Sequence, residues 1–173
     1  AEKLAGQDVL ALLDYPAYFA RMNVPLPDGH QALLAALAAD RLVERMDSGH
    51  WRIFNLGALL FARRLADFGS LGRKAIRLVR YHGNDRLNAH PEPPFPQGYA
   101  SAYEQVIQTL HGWLPGNEAI GRAVRKDVRM YPDVAIRELV ANALIHQDLS
   151  VTGTSPLIEL FDDRLEISNP GAP

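Results

Sequence analysis

The chain has 173 residues, a formal net charge of −2, six histidines and no cysteine. This length suits one domain or two small ones, and the lack of cysteine excludes disulfides, thiolate metal sites and cysteine nucleophiles. No apolar stretch approaches the roughly 20 residues of a membrane span, and the N-terminus does not resemble a secretion signal. We therefore expect a cytoplasmic protein with no membrane partner, and the turn-like final residues favour an excerpt of a longer chain.

The first forty residues predict two helical segments. Apolar residues over 9–13 have helical spacing, and Tyr15-Pro16 restarts the helix, because proline is tolerated in a first turn. A further helix is expected after Asp28, whose carboxylate can cap its free amides. Its apolar face consists of Leu33, Leu34 and Leu37.

The spacing of apolar residues then changes and predicts a β-hairpin over 42–46 and 51–54, with Gly49 at the turn. A helix from Asn55 to Asp67 is predicted to follow. This order of elements is the outline of a winged-helix-like module over residues 1–68. Trp51 has two interpretations: it covers the helical core, which we favour, or it belongs to a wing that faces nucleic acid together with Phe54, Arg45 and Arg52.

The second half, residues 69–173, mixes strands and helices. A proline-rich stretch at 90–98 excludes a helix or a central strand there and favours a surface loop or a linker. The predicted elements, in chain order, are a Gly/Ser hinge at 69–72, a strand at 75–81, a helix at 99–114, a strand at 123–130, a helix at 132–146, and strands at 157–161 and 165–168.

Charge is unevenly distributed along this half. Residues 63–86 carry seven basic and two acidic side chains, whereas residues from 148 onward carry five acidic and one basic. A basic segment is the electrostatic footprint expected of a DNA contact, although a solvated face paired with the acidic end explains it equally well. The candidate nucleic-acid residues are Arg73, Lys74, Arg77 and Arg80.

The helix at 132–146 carries the most informative pair. Glu138 and Asn142 are four residues apart and therefore share a helix face among small and apolar neighbours. A solvated surface is one interpretation of such a pair; a lined pocket is the other. The opposite, core-facing side is predicted to comprise Ile136, Leu139, Val140, Ala143 and Leu144.

The segment YPDVAIRELVANALIHQDLSVTGTSPLIELFDDRLEISNPG, residues 131–171, resembles the first half of the GHKL-type ATPase domain, or Bergerat fold. It is most similar to the branch found in bacterial putative transcriptional regulators labelled RecG-like or "ATP-dependent DNA helicase-related". The resemblance rests on Pro132, the Ala135-Ile136-Arg137-Glu138 run, Asn142-Ala143, His146, Asp148, Asp162-Asp163-Arg164, Glu166-Ile167 and Asn169-Pro170-Gly171. Gln147 and Leu149 replace the arginine and tyrosine usual in that branch.

The resemblance implies a role for each matched site residue. Glu138 corresponds to the glutamate that activates the attacking water, and Asn142 to the asparagine that ligates Mg²⁺. Asn169 and Gly171 correspond in position to the turn that contacts adenine, where Asn169 replaces an aspartate. The implied cofactors are therefore ATP and Mg²⁺. The family also implies a DNA-binding domain of the Schlafen/AlbA type, whose markers do not occur in this sequence.

Together these observations predict an α+β chain, a winged-helix-like region followed by a partial Bergerat α/β sandwich. The expected parent is a cytoplasmic bacterial regulator that binds DNA and ATP, whereas the excerpt alone is expected to be inactive. The alternative is a non-catalytic module that positions DNA or forms a homodimer through a degenerate nucleotide site. No helicase motor motif is found in the sequence.

Overall fold

A computed structural model describes residues 3–114, 116–120, 125–129, 131–151 and 153–171. The chain has the mixed α+β architecture that the sequence predicts. It divides into two compact units. Unit 1 comprises Ala1–Ile76, Pro94–Tyr103 and Thr152–Ser155, and unit 2 comprises Arg77–Pro93, Glu104–Val151 and Pro156–Pro173. The predicted boundary between residues 68 and 69 stays a prediction.

Unit 1 is mainly helical and contains one hairpin, in the predicted order. Its elements are α1 (Gly6–Leu12), α2 (Tyr15–Met22), α3 (His30–Ala39), β1 (Val43–Arg45), β2 (Trp51–Ile53), α4 (Asn55–Phe61) and a 3₁₀ segment (Leu65–Lys74).

A side chain caps the N-terminus of α2, whereas no side chain caps the N-terminus of α3. Asp14 caps α2 by accepting a 3.3 Å hydrogen bond from the Ala17 amide. The expected cap of α3 by Asp28 is wrong: the capping position is Gly29, at a φ of +86°, and no side chain caps the helix. Glycine adopts this left-handed backbone without the steric cost that another residue would bear.

The hairpin turns at Gly49, whose φ is +80°, as its position in the sequence predicts. Val43 lies opposite Ile53 and Arg45 lies opposite Trp51. Leu4 forms an isolated antiparallel bridge to the hairpin, because its amide and carbonyl both hydrogen-bond to Trp51, at 3.0 and 2.8 Å.

The core of unit 1 is apolar. Gly57 of α4 lies directly against the backbone of Leu42, the residue before β1, since a Cβ atom there would be 2.3 Å from the Leu42 carbonyl oxygen. Burying each large aliphatic side chain contributes about 1.5–3 kcal/mol, so this cluster dominates the stability of unit 1. The cluster includes Val9, Leu10, Leu13, Tyr18, Phe19, Leu33, Leu34, Leu37, Leu42, Val43, Ile53, Ala58 and Phe61.

The helix predicted to run from Asn55 to Asp67 is shorter than expected. α4 ends at Phe61, and the chain continues as a 3₁₀ segment that is kinked at Phe68 and Gly69. Gly69 has a φ of +57°, so the chain bends at a glycine of the Gly/Ser stretch, whose role as a hinge stays a prediction.

Unit 2 is built around a four-stranded sheet. Its elements are β3 (Arg77–Tyr81), β4 (Ala89–Pro91), α5 (Tyr99–Trp113, whose first five residues belong to unit 1), β5 (Gly116–Ile120), β6 (Arg125–Arg129), α6 (Asp133–Ile145), β7 (Leu157–Leu160) and β8 (Leu165–Ser168).

The sheet order is β4-β3-β7-β8, with β3 and β7 parallel and the outer pairs antiparallel. β4 corrects the expectation of a loop throughout 90–98, but it is an edge strand, where proline is tolerated because one edge needs no ladder hydrogen bonds. β5, which pairs with β6, was not predicted. Positions 123, 124 and 130 of the strand expected at 123–130 lie outside the described residues.

Over the described residues, no helix combines the length and apolar character needed to cross a membrane.

Candidate functional site

Helix α6 supplies the two residues that the sequence singles out. Ile136, Val140 and Ala143 are buried, which confirms most of its predicted core face. Leu139 is 53% exposed, however, so its assignment to the core is wrong. Leu139 lies at the border of the narrow buried stripe and next to the face that carries Asn142.

Glu138 and Asn142 are both exposed and in contact. The Asn142 Nδ2 donates a 3.2 Å hydrogen bond to the Glu138 Oε1, as residues one helical turn apart can do. A side-chain amide that donates through its nitrogen keeps its oxygen as an acceptor or metal ligand. The structure therefore brings a carboxylate and an amide oxygen together on an open helix face.

The turn at 169–171 is attached to the C-terminal end of the same helix. The Asn169 Nδ2 donates a 2.7 Å hydrogen bond to the His146 carbonyl, and the Asp148 amide donates one of 2.7 Å to the Pro170 carbonyl. Asn169 thus satisfies a carbonyl at the helix end. The three matched motif residues Glu138, Asn142 and Asn169 belong to one local structure.

Contacts within the chain itself explain why position 171 is a glycine. Its φ is +132°, and a Cβ atom would lie 3.0 Å from the Asp148 amide nitrogen. The segment that approaches this glycine closely is residue 148 of the same chain. Glycine at 171 therefore permits the docking of the turn.

The N-terminal half of α6 is held by ion pairs to α5. The Arg137 guanidinium donates two 3.1 Å hydrogen bonds to the Glu104 carboxylate and one of 3.1 Å to Asp133. These hydrogen bonds, above all those to Glu104, raise the pKa of Arg137. The His111 Nε2 also lies 2.8 Å from the Asp133 Oδ1. Helix α5 thus fixes the position of the α6 segment that carries Glu138.

Glu159 on β7 is a buried carboxylate that the sequence reasoning missed. It accepts hydrogen bonds from the Arg86 Nε at 2.8 Å, the Arg86 Nη2 at 3.0 Å and the Tyr81 hydroxyl at 3.0 Å. The Arg86 hydrogen bonds lower the pKa of Glu159, while burial and the Glu159 hydrogen bond raise the pKa of Tyr81. An acidic residue within an otherwise apolar strand signals such a partner, because a buried charge must be paired.

Arginines also pair with Glu166 of the neighbouring strand β8. Glu166 accepts hydrogen bonds from Arg86 at 2.7 Å and from Arg164 at 2.6 Å. The Arg164 guanidinium lies 3.8 Å from the centre of the Phe161 ring, which stacks on Tyr81 at 4.6 Å. These acids stabilise β7 and β8 and are therefore poor candidates for chemistry.

The four candidate nucleic-acid residues do not form one face. Arg73 is exposed, but Lys74 is only 3% exposed, which argues against the expected contact of Lys74 with phosphate. Arg77 is exposed and Arg80 half-buried on β3, and residues three apart on a strand point to opposite faces. Arg73 and Lys74 belong to unit 1, whereas Arg77 and Arg80 belong to unit 2.

Within the described part of the chain, no three His, Asp or Glu side chains come together as a metal-binding group.

The similarity of this chain to known proteins is limited to its fold. No family model and no curated protein matches the chain. Among solved structures, the chain is similar to the DIP2311 protein from Corynebacterium diphtheriae, with 24% sequence identity and a TM-score of 0.55. The match covers 74% of this chain and 25% of that chain, so this chain spans about a quarter of its solved neighbour.

Proposed function

We propose that residues 131–171 form one side of an ATP–Mg²⁺ site of the GHKL type within a Bergerat-like fold. The observation that carries the proposal is the exposed Glu138–Asn142 pair, in contact at 3.2 Å on α6. A carboxylate acceptor and a neutral oxygen ligand in one place suit Mg²⁺-assisted attack of water on a phosphate.

Each residue of the pair has a distinct task in this proposal. Glu138 accepts a proton from the attacking water at its carboxylate, and its contact with Asn142 orients that carboxylate. Asn142 would hold the cation through Oδ1, because its Nδ2 already donates to Glu138. Mg²⁺, when bound, supplies positive charge for the phosphate oxygens. The single protein oxygen fits this ion, which usually keeps water and phosphate ligands.

Asn169 is the residue that we propose to contact adenine. Its Nδ2 is already engaged by the His146 carbonyl, so Oδ1 is the atom that can accept a hydrogen bond from the adenine amino group. An asparagine lacks the negative charge of the aspartate usual at this position in the resembled family. We therefore expect weaker discrimination between adenine and other bases than an aspartate would provide.

A second part of the proposal concerns DNA. Residues 1–68 have the helix and hairpin order of a winged-helix-like module, and Arg73 and Arg77 are exposed cations. We propose that the parent protein is a cytoplasmic bacterial transcriptional regulator that binds DNA. A mobility-shift assay over a range of salt concentrations tests this: Arg73→Ala and Arg77→Ala should each reduce the salt slope by about one. A slope equal to that of the wild type contradicts the role.

A specific observation favours one alternative function, a non-catalytic dimerisation module. Val134, Leu139 and Ile145 on α6 are 76, 53 and 72% exposed, around the Glu138–Asn142 pair. Exposed apolar residues on one face are typical of a protein–protein interface. Under this alternative, the chain forms a homodimer in sedimentation experiments, Ile145→Glu abolishes it, and no nucleotide binds.

The test of the ATP site is calorimetric titration with Mg²⁺ and a non-hydrolysable ATP analogue. Loss of a charge-assisted or metal contact should weaken binding about 10- to 100-fold in Asn142→Ala. Glu138→Gln should bind the analogue but lose hydrolysis in the parent protein. Gln108→Ala, which removes an exposed amide from α5, is the matched control. Absence of binding heat with the wild-type chain and with the parent overturns the proposal.

A further inference from the structure

Unit 1 contains a cleft of about 670 Å³ beside the hairpin. This volume lies in the range of small-molecule sites, roughly 300–1,000 Å³. We call it the hairpin cleft. The side chains that define it are Gln7 of α1, His30, Gln31 and Leu34 of α3, and Arg45 and Trp51 of the hairpin.

The register of the hairpin places Arg45 and Trp51 on the same side. They are directly opposite partners, and side chains of directly opposite residues in an antiparallel pair lie on one face. That face is the one turned to the core, because Val43 and Ile53, two residues along each strand, are buried. Arg45 and Trp51 therefore extend the core-facing side of the hairpin beyond the apolar core.

Trp51 is fixed as a wall of the cleft. Its backbone pairs with Leu4 and with β1, and a Cβ atom at Gly6 would lie 3.6 Å from its indole nitrogen. The same Cβ atom would be 2.7 Å from Leu34 Cδ1, so the backbone of α1, the buried Leu34 and the indole converge there. A half-buried indole beside an aliphatic floor offers a flat surface for an aromatic ring.

The charges of the two hairpin faces differ. On the outer face, Arg52 forms an ion pair with its opposite partner Glu44. On the cleft face, Arg45 is exposed, and no ion pair is found for it in the described part of the chain. The described residues that line the cleft include no acidic side chain, while Gln7, Gln31 and His30 add polar groups. An unpaired guanidinium in such surroundings favours an anion.

We propose that the hairpin cleft binds a small organic anion that carries a planar aromatic ring. The ring lies against Trp51 and Leu34, and the anionic group pairs with Arg45. Arginine recognises carboxylate and phosphate alike, so the shared chemistry is a flat ring with a negative group at its edge. This site is independent of the proposed ATP site, and either can fail without the other.

The experiment follows the fluorescence of Trp51 in the full 173-residue chain. Trp113 is the only other tryptophan, so Trp113→Phe leaves Trp51 as the single indole. Benzoate and phenyl phosphate are the probes, and benzyl alcohol, benzamidine, acetate and inorganic phosphate are the controls. We expect a saturable change with one or both aromatic anions, and the stronger of the two identifies the preferred anionic group. Calorimetry on the wild-type chain checks that Trp113→Phe has not altered the cleft.

Two arginine variants separate binding from general charge. Arg45→Gln should weaken binding of the aromatic anion at least about tenfold, because it removes a charge-assisted contact. Arg52→Gln, on the outer face of the same hairpin, should leave the affinity unchanged. Thermal unfolding of both variants shows that the hairpin stays folded.

Four results would overturn the proposal: no saturable signal with either aromatic anion, equal binding of benzyl alcohol or benzamidine, equal effects of the two arginine variants, or displacement by a single-stranded oligothymidylate that binds more tightly at low salt. The last would identify the cleft as a nucleic-acid surface.

Discussion

Unit 1 and unit 2 stabilise their strands by different means. In unit 1 the hairpin packs on apolar side chains, and the buried Tyr18 hydroxyl donates a 2.8 Å hydrogen bond to Asp40. In unit 2 the strand β7 carries Glu159, a buried carboxylate satisfied by an arginine and a tyrosine. Unit 1 thus depends on close packing, whereas unit 2 also depends on a paired charge.

The presence or absence of an arginine partner distinguishes acidic residues that stabilise the fold from those that are candidates for catalysis. Glu159 and Glu166 are bound by arginines, so each stabilises the sheet that carries it. Glu138 is exposed and contacts only a neutral amide among the contacts found for it. A carboxylate in that state can exchange its partner for a ligand without breaking the fold, which is why we assign chemistry to Glu138.

The packing of unit 1 should be the feature most sensitive to mutation. In Gly57→Ala the new Cβ atom would lie 2.3 Å from the Leu42 backbone oxygen, and the backbone must shift to relieve the overlap. We expect a loss of about 3 kcal/mol or more of unfolding free energy, measured by urea denaturation. Gly112→Ala in α5, where nothing lies within 4 Å, should be neutral or stabilising. Equal effects of the two variants would contradict the close approach of α4 to the Leu42 backbone.

Removal of the buried, paired charge of Glu159 in unit 2 should cause the next largest loss of unfolding free energy. Glu159→Gln leaves Arg86 and Tyr81 with a weaker acceptor, and we expect a cost of about 2 kcal/mol at neutral pH. Because the folded-state pKa of Glu159 is lowered, its contribution is present above the ordinary carboxyl value and is lost as pH falls through the lowered one. The variant should therefore lose less stability on acidification than the wild type.

The control for that comparison is Glu44→Gln, which removes an exposed acid from the hairpin of unit 1. It should change stability by less than about 1 kcal/mol, since exposed ion pairs contribute little. If acid unfolding of Glu159→Gln and of the wild type followed the same curve, Glu159 would not be the acid-sensitive group of unit 2.

The turn beside α6 should respond more weakly. Gly171→Ala introduces a Cβ atom 3.0 Å from the Asp148 amide at a φ of +132°, which strains the turn at a cost of about 1–3 kcal/mol, at the low end because the site is exposed. The strain falls on residues 169–171 and not on the core, so nucleotide affinity should fall more than stability. Thermal unfolding followed by circular dichroism measures the stability, and calorimetric titration measures the nucleotide affinity. Unchanged affinity in this variant would show that the turn is not part of the nucleotide site.

The smallest effect at neutral pH should come from Tyr18→Phe in unit 1, at about 1 kcal/mol for a single hydrogen bond. Burial, with the Asp40 hydrogen bond, raises the pKa of Tyr18 to about 12. Stability from the protonated hydroxyl is therefore present below pH 10 and is lost as pH rises through about 12. Unfolding at alkaline pH should show a shallower decline in Tyr18→Phe than in the wild type; an identical decline would exclude Tyr18 as its cause.

Local patterns in the sequence predicted most helices, the β1–β2 hairpin and the strands β7 and β8, but not the strands β4 and β5. α2, α5 and α6 follow apolar spacing and end signals, and the hairpin turns at the glycine that the sequence offers. These features depend on residues within a few positions of one another, so a single sequence contains the information.

Features that depend on distant residues were not predictable in this way. The parallel pairing of β3 with β7 joins positions 80 residues apart, and neither strand alone indicates its partner. Leu139 was assigned to the core, but the buried stripe of α6 is narrower than the apolar pattern suggests. Lys74 was counted with the surface cations although the fold buries it.

The candidate site was predictable to the extent that its motif is local. The spacing of Glu138 and Asn142 predicts their contact, and the structure shows it. The attachment of Asn169 to the His146 carbonyl and the steric reason for Gly171 required the folded chain, because residues 146–148 and 169–171 meet only through the hairpin between them.

The most direct test of the central claim is an NMR titration of the ¹⁵N-labelled chain with Mg²⁺ and a non-hydrolysable ATP analogue. The account predicts saturable shifts of the Asn142 and Asn169 side-chain amides and of the Gly171 backbone amide, all reduced in Asn142→Ala. Shifts confined to the Arg45–Trp51 hairpin, or none at all in the chain and its parent protein, would contradict it.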